Sequence, residues 1–268
     1  MIDRGKFNLL GVQINAVDYE AAVDKILRAA HERKSMGVSA LAVHGVMTGV
    51  LDSEHGYRLN KLDLVVPDGQ PVRWALNLLY GTQLADRVYG PNLTLFVCAR
   101  AAAEGLPIYL YGSRDTVLQS FAKNLQQKFP GLQIAGSEPS KFRQLSAAEK
   151  CAVIDRIIDS KAAITLVGLG CPRQEVWVYE HLDHLPMPMM AVGAAFDFHA
   201  GTLSQAPSQL QKFGLEWLYR LSHEPKRLWK RYLLLNPQYL ALLALQFSGL
   251  QKFPVLDQNS PKMELRYG

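Results

Sequence analysis

Cysteine is scarce and scattered. Cys98, Cys151 and Cys171 are the only three, too few and too dispersed for a disulfide framework or a metal motif, and they suit a reducing cytosol. Asp-x-Asp occurs nowhere; Asp52-Ser53-Glu54 is the nearest equivalent. The acidic pair that would hold a divalent ion against a diphosphate is therefore missing. Met1-Ile2-Asp3-Arg4-Gly5-Lys6 has no apolar run behind its charges, which argues against a secretory signal. Leu240 to Leu250 is apolar but too short to span a bilayer. No repeat or low-complexity tract is present, so a solenoid is excluded.

What remains is an ordinary globular composition. The 268 residues are 49% hydrophobic and 20% charged, enough to bury a sizeable core as one large domain or two packed lobes. The net charge of +5 is unevenly spread. Lys212, Arg220, Lys226, Arg227, Lys230 and Arg231 face only Glu216 and Glu224 in their stretch, which thus carries four of the five charges. A local basic patch implies an anionic partner: diphosphate, lipid headgroup or nucleic acid.

Strand-like runs alternate with helix-period segments. Strands are expected at Phe7 to Ile14, Ala40 to Val43, Leu62 to Val66, Pro107 to Tyr111, Leu132 to Ala135, Ala163 to Val167 and Met189 to Val192. Helices are expected over Asp18 to Lys34, with Asp18 as cap, and at about 71–80, 91–104, 114–129, 146–160 and 172–182. The alternation predicts an α/β, Rossmann-like, mainly parallel sheet with helices on both faces. Residues 1–205 are expected to form this α/β domain. A C-terminal basic helical appendage follows over 206–253, with helices at 214–223 and 225–235, the second ending at Asn236-Pro237. Residues 254–268 read as a flexible tail.

In such sheets ligands sit beyond the carboxyl ends of the strands. Ile164 to Glu175 runs from an apolar strand through Gly168 and Gly170 into a helix start at Pro172. That makes a phosphate seat, or simply a tight strand-to-helix turn. Gln174 can add hydrogen bonds there. Pro67-Asp68-Gly69 places a carboxylate at the same edge, either as general base or as a favoured turn. Arg87, ahead of Tyr89-Gly90-Pro91-Asn92, is placed to grip phosphate or sugar oxygens or to be solvated. Gly112-Ser113 repeats the glycine and helix-start pattern, with Ser113 as a cap. After the last strand Phe196 could flank a planar base and Asp197 hold a loop, with Phe198 in the core. Glu180-His181-Leu182-Asp183-His184 is rich in ligand types but reads as a solvated helix end, so no residue is assigned to a metal. Arg220, Arg227 and Arg231 share a face if one helix continues through Pro225. Among Trp217, Tyr219, Trp229 and Tyr232 they form a membrane-surface element, reach into the cleft, or make a plain solvated face.

Taken together and in order, Pro67-Asp68-Gly69, Arg87-Val88-Tyr89-Gly90, Gly168 to Glu175, Gly193 to Gly201, Ala206-Pro207, Gly214 to Leu221, Glu224 to Arg227 and Arg231-Tyr232 resemble the WecG/TagA/CpsF glycosyltransferases, glycosyltransferase family 26. The resemblance spans roughly residues 8 to 235. It implies an inverting, metal-independent transfer of a sugar, usually from a UDP-sugar donor, to a polyprenyl-diphosphate-linked saccharide acceptor. Such transfer serves bacterial cell-surface polysaccharide biosynthesis (exopolysaccharide, teichoic acid or enterobacterial-antigen-like), in a cytoplasmic protein peripheral to the inner face of the cell membrane. It implies no cofactor and no nucleic acid, and leaves homo-oligomer formation open. Carried onto this chain, Asp68 is the general base, Arg87 and Gln174 contact the donor, and the Gly168 to Gly170 turn with Arg173 surrounds its diphosphate. Gly112, Ser113, Phe196 and Asp197 complete the donor side, while Arg220, Arg227 and Arg231 match the family's basic segment. One departure stands out: Ala42-Val43-His44 replaces the family's Thr-x-Asn. His44 then takes the asparagine's place or assists Asp68 with the proton.

Two other function classes fit parts of the sequence. A Rossmann-type oxidoreductase lacks its third fingerprint glycine and a clear acidic residue about 20 residues on. A non-enzymatic basic adaptor docking on membrane needs only Lys212 to Arg231.

Overall fold

The computed structural model describes residues 1–268, apart from the side chains of Arg227 and Arg231. The chain opens with a hairpin, β1 (Asp3–Leu9) and β2 (Val12–Val17), where a single strand over Phe7 to Ile14 is expected from sequence. Leu10 and Gly11 both take positive φ and fold the run back on itself. Then come α1 (Tyr19–His31), β3 (Met36–Leu41), α2 (Val43–Leu51), α3 (Ser53–Lys61), β4 (Leu64–Pro67), α4 (Gln70–Tyr80), α5 (Gly90–Glu104) and β5 (Ile108–Gly112). The domain continues through α6 (Asp115–Lys128), β6 (Ile134–Glu138), α7 (Ala147–Asp159), β7 (Ile164–Gly168), α8 (Arg173–His181), β8 (Pro188–Ala191) and α9 (Ala194–Ala200). Asp18 caps α1 as expected, accepting from the Ala21 N–H. Helices α2 and α3 are not foreseen by the sequence reading.

Six strands form one parallel sheet in the order β4-β3-β8-β7-β5-β6. Every residue of β5 and β7 is buried, because helices cover both faces. One face packs against α1, α5, α6 and α9 around Phe121 and Phe196. The other carries the hairpin and α2, α3, α4, α7 and α8 around Trp177 and Tyr111. Gly112, at φ +103°, ends β5 so close to β7 that a Cβ would lie 2.8 Å from the Gly168 carbonyl carbon. Its work is therefore strand packing.

Beyond β8 lie α10 (Ser208–Lys212), α11 (Glu216–His223) and α12 (Pro225–Phe247). The last runs straight through Asn236-Pro237, where the sequence reading ends it. Proline at 237 denies a donor to the Leu233 carbonyl, and Leu233 is exposed, so water can serve it. The separate α11 and α12 also keep Arg220 off the helix that carries Arg227 and Arg231; those two side chains lie outside the described residues. Tyr239 and Gln246 dock α12 on the domain, through the Pro71 carbonyl and through Leu10 and Asn8.

The segment expected as a flexible tail makes specific bonds. Leu256 donates to the Gly11 carbonyl, and Glu180 accepts from the N–H groups of Leu265 and Arg266 at 2.6 and 2.9 Å. Glu180 is thus a buried clamp, where the sequence suggests a solvated helix end. His181 is equally buried, stacked on Trp177 and bonded to its carbonyl.

Candidate active site

The strand order answers what sequence alone leaves open, whether the chemically suggestive strand ends meet. They do: residues just past β3, β4, β5, β7 and β8 line a single cavity of about 630 Å³, closed on one side by α11. That volume takes a drug- or nucleotide-sized ligand.

Asp68 stands at the end of β4 and lines this cavity. Its Oδ1 accepts from the Gly90 N–H at 2.6 Å, at the start of α5, and its own N–H donates to the Leu41 carbonyl. Burial pushes its pKa up to about 6, against the opposing pull of the Arg87 guanidinium and the Gly90 N–H; the Glu216 charge adds to the rise. A carboxylate so tuned is deprotonated at neutral pH yet more basic than an ordinary aspartate.

The glycine turn is less open than the phosphate-seat reading supposes. Gln174 Oε1 accepts from both Gly170 and Gly193, at 3.1 and 3.0 Å, and its Nε2 donates to Glu175 at 2.8 Å. Its carboxamide is committed to tying the β7 and β8 loops together, so Gln174 is a positioning residue on the cavity wall. The Gln174 N–H bonds the Gly170 carbonyl and Glu175's carboxylate takes its own N–H. Four N–H groups near the start of α8 therefore already have partners. Gly170 itself, at φ +76° with nothing near its absent Cβ, leaves the main chain open to a ligand.

Cationic charge comes instead from side chains. Arg114 and Arg173 lie exposed at the rim, and Arg220 enters from α11. Arg220 sits 5.8 Å from the Phe198 ring centroid, and its buried Nε has no hydrogen-bond partner. Arg114 escapes the sequence reading, although its position two residues past β5 is the available signal.

Several sequence expectations are redirected. Arg87 does not line the cavity; it is buried behind it, donating to Glu216 at 2.8 Å and Gln211 at 3.0 Å with its guanidinium over the Tyr89 ring. Tyr89 donates to the other Glu216 oxygen at 3.1 Å. Arg87, Tyr89 and Glu216 thus latch the appendage onto the domain, a role for Glu216 that sequence reasoning misses. His44 lies within α2, and the cavity is lined there by Ala42 and Gly45 instead. Phe196 is fully buried under Gly168, against Phe121, and cannot flank a base; Phe198 is the one at the cavity. Asp197 lines it too and accepts from the Thr202 hydroxyl. Ser113 also lines it but does not cap α6, whose N-cap is Arg114.

Among the described residues, one group has the makings of a metal site: His55, Cys171 and Glu175 offer ligand atoms all within 4.8 Å of one another. Cys171 and Glu175 stand four residues apart, but His55 is distant in sequence and no spacing motif links it to them.

A doubly covered parallel sheet with a polar, arginine-rimmed cleft at its carboxyl edge defines an α/β protein of the Rossmann-like class. The chain matches the glycosyl transferase WecG/TagA/CpsF family over residues 7–252 and belongs to it. It is accordingly a glycosyltransferase of cell-surface polysaccharide biosynthesis. Family membership sets aside the oxidoreductase and adaptor alternatives.

Proposed function

We propose that this protein transfers a sugar from a UDP-linked donor to a polyprenyl-diphosphate-linked saccharide, with inversion, at the inner membrane face. Asp68 takes the proton from the acceptor hydroxyl; the freed oxygen attacks the anomeric carbon as the bond to UDP breaks on the opposite side. The negative charge that develops on departing UDP is met by Arg220, Arg114 and Arg173. The observation that carries this reading is one cavity shared by a carboxylate tuned to about 6 and an arginine delivered from a separate helix.

The membrane part rests on the appendage. Leu218, Trp229, Leu233, Leu234 and Leu240 are exposed amid its basic residues, a pattern suited to an anionic lipid surface. No helix among the described residues is long and apolar enough to cross a membrane.

The deciding experiment is Asp68→Asn. General-base catalysis contributes about 10² to 10⁴-fold, so transfer falls by that much while UDP-sugar binding by calorimetry stays within a few-fold. Near-normal turnover of the variant removes Asp68 as the base.

A further inference from the structure

We propose that His55, Cys171 and Glu175 bind a zinc ion directly beneath the glycine turn, pinning α3 to the start of α8. His55 is 2% exposed and neither ring nitrogen has a hydrogen-bond partner, and beside it the Cys171 thiol bonds the carboxylate of Glu175, itself 1% exposed. A buried imidazole with both nitrogens unpaired is destabilising, and here it faces two further ligand groups carried on separate elements. His55 comes from α3, Cys171 from the turn after β7, and Glu175 from the first turn of α8.

The donor set selects the ion. Imidazole nitrogen, thiolate sulfur and one carboxylate oxygen suit zinc, whereas magnesium and calcium require oxygen throughout. With bonds of about 2.0–2.3 Å, tetrahedral ligands stand about 3.5 Å apart. Ligand atoms already within 4.8 Å reach that spacing by side-chain movements of about an ångström. The surrounding shell is present as well. Glu175 Oε1 is held by the Ser39 hydroxyl at 3.2 Å and by Gln174 Nε2 at 2.8 Å, so Oε2 is available to the metal once the Cys171 thiol that bonds this carboxylate gives up its proton. Thiolate and carboxylate together neutralise the ion, so the buried site gains no net charge. Cys171 and Glu175 also line the main cavity, giving an entry path and a place for water as fourth ligand. Binding releases the Cys171 thiol proton to solvent.

This site is independent of the sugar-transfer reading, and its test is a binding measurement. Full-length protein, reduced and stripped with chelator, is titrated with Co²⁺ as spectroscopic probe and with Zn²⁺ in competition with a chromophoric chelator. One ion per chain is expected, with a thiolate-to-cobalt charge-transfer absorption. Cys171→Ser abolishes that absorption and weakens Zn²⁺ binding at least about tenfold; His55→Gln weakens it similarly, and Cys151→Ser, at an exposed cysteine, changes neither. Circular dichroism of the metal-free variants establishes that they fold, and if His55→Gln does not, Cys171→Ser decides alone. No stoichiometric Zn²⁺ uptake by the wild type, or equally tight uptake by Cys171→Ser, overturns the site.

Discussion

The latch between Arg87 and Glu216 makes a sharp prediction, because it couples the position of the appendage to the basicity of Asp68. The side chains are 8% and 13% exposed, so this is a buried pair rather than a surface one. Removing one partner of such a pair costs about 3–5 kcal/mol, since the other charge is left unpaired. Arg87→Met keeps the apolar stem and deletes only the guanidinium. Neither α10 nor α11 contains a fully buried residue. The loss should therefore appear as local detachment of 208–223 while the domain stays folded. At about 1.36 kcal/mol per tenfold, the detached population rises by roughly two to nearly four powers of ten. Hydrogen exchange at the α11 amides reads this directly. Adding Glu216→Gln removes the unpaired charge, so the double variant is less exposed to exchange than Arg87→Met alone.

Electrostatics supplies the second half of the same test. Burial raises Asp68, Arg87 opposes the rise and Glu216 adds to it. The acid limb of the rate profile, expected near pH 6 in the wild type, moves upward in Arg87→Met and downward in Glu216→Gln. Unchanged exchange at α11 in Arg87→Met, or limbs that move the same way in both variants, would refute the coupling.

Two further outcomes follow, one from buried histidines and one from an exposed leucine. In metal-free protein, burial lowers His55 to about 4 and His181 to about 3 from an ordinary 6.5. The unfolded chain thus takes up their protons first, and stability present above pH 6.5 is lost as pH falls toward those values. The slope is up to about 1.4 kcal/mol per pH unit for each histidine; urea melts between pH 7 and pH 4.5 with no such decline in the wild type, relative to His181→Gln, would contradict the assignment. On the appendage, Leu234→Ser removes an exposed leucine worth at least about 1.5 kcal/mol if it enters lipid. Flotation with anionic vesicles should weaken about tenfold, and unchanged flotation would take that face off the membrane.

The parallel sheet was legible because its central strands are short apolar runs such as Ile164 to Val167, set between helix-period segments with usable caps like Asp18. Where the rules compete, the sequence misleads. Val43 to Leu51 lacks a side-chain cap, so α2 goes unseen. Pro237 looks terminal because the exposure that hydrates the Leu233 carbonyl is a tertiary fact. Asp68, Gly168 to Gln174 and Arg220 do converge on the cavity, but their individual tasks were partly hidden. Local order cannot show that Gln174 faces Gly193, that Arg87 meets Glu216 more than a hundred residues later, or that Phe196 and Phe198 point to core and cavity in the reverse of the expected assignment.

The distribution of donors around the glycine turn bears on how the cleft handles an anion. A helix N-terminus whose first N–H groups were free would offer fixed, permanently available stabilisation. Here Gly170, Gln174 and Glu175 are already bonded within the protein. In the transfer proposed above, charge stabilisation then falls to arginines from three elements, of which Arg220 alone comes from the appendage. Since Glu216 ties α11 to Arg87 and Tyr89 of the domain, closing this latch helps bring Arg220 to the cleft. Any ligand that binds the latched form more tightly therefore also holds the latch closed, and a closed latch raises the affinity for that ligand by the same factor.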